Sequence, residues 1–158
     1  MLTTQAVERE IVVAAPVERV WAVLTEPEHI GQWFGNRAEL EPCVGGAGLL
    51  EFEGYGAFKI SVVRFEPTSF FSYRWANKAG DEAVPGRSTL VEFTLEPAGS
   101  STKLRVVESD FDLLPLTEAE REHEIAEHTR GWREELDELR VYAEQRARQG
   151  CFHDDAWR

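Results

Sequence analysis

The sequence predicts an α+β fold: a curved antiparallel sheet of six to seven strands wrapped around one long C-terminal helix, with two short helices after the first strand. Three observations carry this. Between Arg37 and Phe111 the chain is a series of β-rich segments separated by Gly-, Pro-, Asn- or Ser-containing turns, and such short spacings favour antiparallel neighbours. After Pro115 one helical pattern runs on, and a helix of about thirty residues is about 45 Å long, enough to lie across a sheet. The strands alternate in polarity, so one face needs cover, and that helix is the element able to supply it.

Residues 7–14, VEREIVVA, are β-branched and partly alternating and read as the first strand. Pro16 fits the first turn of a helix, where its missing N–H costs nothing, and Val17, Val20, Trp21 and Leu24 follow as one apolar stripe. Pro27 interrupts, and Glu28 to Phe34 form a second short helix stopped by Gly35. Strands are expected at Arg37–Glu41, Gly48–Glu53, Ala57–Glu66, Phe70–Ala76, Ser88–Glu96 and Thr102–Ser109. In the last two, Thr89, Val91, Phe93 and Leu95 share one face, as do Thr102, Leu104 and Val106. Thr117 and Glu120 match a capping box, and Glu118, Glu120 and Glu122 suit the positive end of the helix dipole. Ile125, Trp132, Leu136, Leu139 and Ala143 then share one stripe, with Thr129 on its edge. The helix should reach about Gln149, leaving 1–150 as a single domain and 151–158 as a short tail. This is a helix-grip arrangement, whose curvature leaves room for a cavity between sheet and helix.

Composition narrows the function classes. The 158 residues hold 29 acidic against 17 basic side chains, a formal charge of −12. Generic binding to nucleic acid or anionic lipid would have the wrong sign. No apolar run is long enough for a membrane-spanning helix. The opening MLTTQAVEREIVV has no basic segment followed by an apolar one and a small-residue cleavage site, so a cytoplasmic location is expected. Cys43 and Cys151 belong to no CxxC and read as incidental reduced thiols.

Candidate chemistry is sparse. His123 and His128 are five apart, about 140° around a helix, whereas a zincin pair needs i and i+4. Gly45-Gly46-Ala47-Gly48 lacks the spacing, lysine and following helix of a phosphate loop and reads as a hairpin turn. No catalytic set is singled out by spacing, so no metal, cofactor or catalytic residue is assigned. Glu108 continues the core-facing side of its strand, and Arg121 lies near the helix stripe, one turn before Ile125. Together they would orient a ligand's polar end at a cavity mouth, or pin the helix to the sheet as a salt bridge. His128, on the stripe's other edge, either lines that mouth or sits as a satisfied boundary histidine. Phe71, Tyr73, Trp75, Phe93, Phe111, Trp132 and Leu136 are the apolar set expected around the interior, whether as cavity lining or as plain core. Trp33 and Phe34 would line the opening or anchor the second helix.

The order strand–helix–helix–six strands–long helix resembles the START/Bet v 1-like (SRPBCC) superfamily. The run Ala15-Pro16-Val17-Glu18-Arg19-Val20-Trp21 with Leu24-Thr25-Glu26-Pro27 is similar to its opening strand-to-helix segment, and Ile30-Gly31-Gln32-Trp33-Phe34 to its second helix. Phe65-Glu66-Pro67, then Phe71-Ser72-Tyr73-Arg74-Trp75, resembles the central hairpin. Val106-Val107-Glu108-Ser109-Asp110-Phe111, Gly131-Trp132 and Leu136-Asp137-Glu138-Leu139 resemble the close of the branch of activator of Hsp90 ATPase homologues. The likeness spans about residues 5–145. Where the family usually has Gly, this chain has Asp110, a residue that tolerates a left-handed turn better than most.

The resemblance implies a non-catalytic protein that binds a small apolar or aromatic ligand in the helix-grip cavity. Its alternatives are a protein-interaction regulator of an Hsp90-type chaperone ATPase, with a stress-response association, and an enzyme on an aromatic or polyketide-like substrate with Glu108 or His128 as base. A homodimer is implied for the branch. Eight acidic residues and one Arg fall between Glu108 and His128, so the mouth disfavours anionic ligands unless Arg121 offsets it.

Overall fold

A computed structural model describes residues 6–150. The tail 151–158, with Cys151, lies outside the described residues. In chain order the elements are β1 (Val7–Val13), α1 (Val17–Thr25), α2 (Pro27–Trp33), β2 (Arg37–Leu40), β3 (Ala47–Phe52), β4 (Gly56–Glu66), β5 (Phe70–Ala76), β6 (Ser88–Ala98), β7 (Ser101–Ser109), a 3₁₀ turn (Phe111–Leu113) and α3 (Glu118–Gly150). The seven strands form one sheet in the order β1-β7-β6-β5-β4-β3-β2, every pair antiparallel. The first strand closes against the last, with Val7 opposite Glu108 and Val13 opposite Thr102. This is the expected helix-grip arrangement, with α3 and the two short helices on one face.

Local chemistry sets the element ends. Pro16 stands one residue outside α1 in an extended conformation, and Pro27 is the first residue of α2 rather than a break before Glu28. In both places the missing N–H is one the helix would leave unpaired. After α2 the chain turns through Gly35 at φ +69°, where a Cβ would stand 2.6 Å from the Glu51 carbonyl oxygen. The β4–β5 register shifts between Val62 and Arg64, a bulge that bends the strand. At the start of α3 the capping box is formed. Glu120 N–H donates to Thr117 Oγ1 (3.1 Å), and Thr117 N–H donates to Glu120 Oε1 (2.8 Å).

The helix stripe is buried as the periodicity requires: Trp132, Leu136, Leu139 and Ala143 sit in the core, with Ile125 partly covered. The later turns of α3 are tied to the start of the chain. Ala14 N–H donates to Glu144 Oε2 (2.8 Å), and Tyr142 Oη lies 2.7 Å from His29 Nδ1 on α2. The interior between sheet and helices is closed. The void among Leu24, Trp33, Leu50, Phe71, Tyr73 and Phe93 is about 10 Å³, too small for any ligand.

Candidate functional site

The open space lies at one end of the grip, between the first half of α3 and strands β3–β5, as a cleft of about 370 Å³. Alternation along the strands supplies its walls. Phe71, Tyr73 and Trp75 point to one face of β5, and only Trp75, nearest the strand end, reaches the cleft. Phe52 and Phe58 come from β3 and β4, and Tyr55 from the turn between them. Phe34, just past α2, stacks on Trp132 of α3 (centroids 5.2 Å, planes 21° apart) and meets Trp75 edge-on at 5.4 Å. Phe52 in turn stacks on Trp75 at 6.1 Å. The aromatic wall is therefore continuous from helix to sheet. Gly131 faces the same space, and a Cβ added there would meet nothing within 4 Å.

Beneath this wall Glu108 is fully buried on β7 and accepts three hydrogen bonds: Thr89 Oγ1 (2.5 Å), His128 Nδ1 (2.8 Å) and Trp132 Nε1 (2.8 Å). An acceptor-only carboxylate fixes the imidazole proton on Nδ1 and turns Nε2 towards Glu124, 3.7 Å away. Burial alone would lower the His128 pKa. The charge and hydrogen bond of Glu108, with the charges of Glu124 and Glu127, outweigh it and hold the imidazole above its ordinary value. The ring is clamped between Trp75 and Phe111, at 5.3 and 5.4 Å. Burial, helped by Glu108, pushes the nearby Tyr73 phenol well up, so it stays neutral.

The expected pairing of Glu108 with Arg121 is not the one formed. Arg121 donates to the carbonyl oxygens of Phe111 and Leu116, each at 3.3 Å, and so fastens the 3₁₀ turn to the start of α3. Its place on Glu108 is taken by His128, two turns further along the helix. Asp110 adopts the left-handed conformation anticipated for that position (φ +72°) and pairs with Arg74 at 2.9 Å.

The rim of the cleft is acidic. Glu124, Glu127 and Glu135 line it from α3, and among the described residues no Lys or Arg does. Burial, then the charge and hydrogen bond of Glu138, then Glu134, push the Glu135 carboxyl up to about 7. Three polar atoms of cleft-lining residues are shielded from solvent and have no hydrogen-bond partner among the described residues: Trp75 Nε1, Asn77 Oδ1 and Glu135 Oε2.

The residues singled out from the sequence thus separate into groups. Trp75, His128 and Trp132 line the cleft, and Glu108 supports it from below. Phe71, Tyr73, Phe93 and Leu136 are packed core, as is Phe111, because the interior they surround is filled. Trp33 is an anchor, its indole N–H donating to the Val23 carbonyl oxygen of α1 at 2.9 Å. Phe52, Tyr55, Phe58, Asn77 and Glu135 were not singled out. The alternation of β3 and β4 was readable, but their place beside α3 depends on strand order and the bend at the β4 bulge.

Comparison with known proteins agrees with this architecture. The family model described as Activator of Hsp90 ATPase homolog 1-like protein matches residues 14–144. No curated protein matches the chain significantly. Among solved structures, protein MLL2253 from Mesorhizobium loti superposes with a TM-score of 0.74 at 24% identity, covering 89% of this chain and 97% of that one. The Aha1 dimer from Colwellia psychrerythraea gives 0.71 at 20% identity over 91% and 97% of the two chains. CalU16 from Micromonospora echinospora gives 0.66 at 23% over 96% and 85%. At these identities the likeness is one of fold. The family match, in contrast, spans most of the chain, from the end of β1 well into α3. The chain belongs to the activator of Hsp90 ATPase homolog 1-like protein family.

Proposed function

We propose that the protein is a cytoplasmic, non-catalytic binding protein that holds a small apolar or aromatic ligand in the cleft between α3 and strands β3–β5. The observation that carries this is the cleft itself, about 370 Å³ of open space walled by Phe34, Phe52, Phe58, Trp75 and Trp132. That volume suits a small molecule, and a largely preformed apolar wall with a few polar groups is what such sites share. The proposed seat is the mouth of the grip rather than its interior, which is filled. The test is native mass spectrometry of protein purified from its own host, alongside the variant Gly131→Phe. The new Cβ meets nothing within 4 Å at a position that lines the cleft, and the change improves helix propensity, so folding should survive while a retained small molecule is lost. Wild-type protein without any bound molecule, and without tryptophan fluorescence response to a panel of aromatic compounds, overturns the reading.

A second reading rests on the family itself, whose description names an Hsp90 ATPase activator. In it the protein acts through its surface, as a regulator of an Hsp90-type chaperone ATPase and as a homodimer. The net negative segment from Glu108 to His128 would steer it to a basic partner. Stimulation of a chaperone ATPase, lost when Glu118, Glu120 and Glu122 are changed to Lys, would support it. An enzymatic role would use His128, whose Nδ1 is held by Glu108 beside the cleft. It requires turnover that vanishes in His128→Asn while folding persists.

A further inference from the structure

We infer that the ligand of this cleft is an organic cation, a protonated amine whose apolar body lies between Trp75 and Trp132 and whose charge meets Glu135 and Glu124. The inference rests on the cleft-binding reading and names its ligand class. Its first support is the balance of charges. Of the three rim carboxylates, Glu127 is already paired with Arg130 at 2.7 Å. The imidazole of His128 is matched by Glu108 beneath it, and Glu124 stands 3.7 Å from the opposite ring nitrogen. Lys78 faces the adjoining groove beside Glu120 rather than the cleft. An anion would meet two or more carboxylates, with no Lys or Arg among the described residues lining the space and with the His128 ring already matched by Glu108.

The second support is the unpartnered polar atoms. Asn77 Oδ1 and Glu135 Oε2 are acceptors shielded from solvent, against one donor, Trp75 Nε1. A buried acceptor without a donor is costly, so a side-chain movement that brings these atoms to a protonated amine supplies what two of the three lack. A neutral hydrocarbon supplies nothing. The third support is the wall. Indole and phenyl faces attract a cation through their quadrupoles, most strongly where water is displaced. Burial, then crowding by Glu138 and Glu134, raises the proton affinity of Glu135, and a bound ammonium relieves the crowding by replacing that proton. The other titratable groups lining the cleft are Tyr55, His123, Glu124, Glu127 and His128.

The experiment compares three probes with one body and three heads: phenylbutylamine, phenylbutanol and phenylbutanoate. Each is titrated against the full chain by tryptophan fluorescence and calorimetry slightly above neutral pH. The amine should bind at least about tenfold tighter than the alcohol, an ordinary charge-assisted margin, with the acid weakest. Glu135→Gln should bring the amine to within about threefold of the alcohol while leaving the alcohol unchanged. Amine binding should also release protons near neutral pH, seen as a dependence of the measured heat on the buffer. If Glu135→Gln folds poorly, Glu124→Gln and added salt serve instead, each weakening the amine and sparing the alcohol. Equal affinity for amine and alcohol, tighter binding of the acid, or selectivity that survives both Gln variants overturns the cation inference but leaves cleft binding standing. Failure of all three probes to bind overturns both.

Discussion

Glu108→Gln isolates the charge at the base of the cleft. Glutamine keeps the shape, and its amide oxygen can still accept from His128 and Trp132 while Thr89 reverses its hydroxyl to receive the new N–H₂. What disappears is the counter-charge to the imidazole. In the native protein the His128 pKa is raised from 6.5. Its contribution to stability is therefore fully present below that unfolded value and is lost as pH rises through the folded one. In Glu108→Gln burial dominates, the His128 pKa falls, and protonation now destabilises the fold. Well above neutral pH three charge-assisted hydrogen bonds become neutral ones while a buried charge is relieved of its desolvation, a net loss of about 1 kcal/mol or less. At mildly acidic pH the variant carries an unpaired imidazolium. Because that ring retains 21% exposure, the cost falls at the lower end of the range for broken buried pairs, about 3 kcal/mol. Urea denaturation of both proteins at about pH 6 and about pH 9, with the midpoint and slope read separately, gives the difference. Subtracting variant from wild type removes the contribution of Glu135, whose carboxyl is pushed up to about 7 and so titrates in the same range. A penalty that is equal at both pH values, or larger at the alkaline one, refutes the Glu108–His128 ion pair.

Four further outcomes are expected. Trp132→Phe preserves the ring packing but leaves Glu108 one donor short, and should lower urea stability by about 1–3 kcal/mol. Asp110→Ala loses the Arg74 pair and retains the left-handed backbone, so it should destabilise by about 1–2 kcal/mol, whereas Asp110→Gly should stay within about 1 kcal/mol of wild type. Glu135 binds its proton more tightly folded than unfolded, so wild-type stability should decline relative to Glu135→Gln as pH rises from 4.5 through about 7, measured by thermal melts across that range. Thr117→Ala removes the cap of α3 and should cost about 1 kcal/mol by urea denaturation.

Most of the fold was legible because its signals are local. Alternation placed β6 and β7, Pro and Gly marked the short helices, and Thr117 with Glu120 marked the start of α3. The site was legible only in part, for two physical reasons. Arg121 and His128 differ by seven residues, which is about 20° in azimuth but about 10 Å along the axis. Periodicity therefore named the correct side of the helix and left the turn that meets Glu108 undetermined. The second reason is the degree of filling. Apolar strand faces look alike whether they surround a cavity or touch one another. Only the packing of Phe71, Tyr73 and Phe93 against Trp132 and Trp21 decides that the interior is filled. The cleft then rests on residues from the far strands, β3 and β4, whose neighbours are set by sheet order.

The two ends of α3 have different attachments, and this divides the helix dynamically. The turns from Leu136 to Glu144 are held by core side chains, by Ala14 and by His29, whereas the turns from His123 to Glu135 border open space. Amide hydrogens of the later segment should exchange only with global opening, and those of the earlier one through local fluctuation. A ligand seated in the cleft would slow exchange in the first segment alone. One continuous helix would then report occupancy at one end and the integrity of the fold at the other.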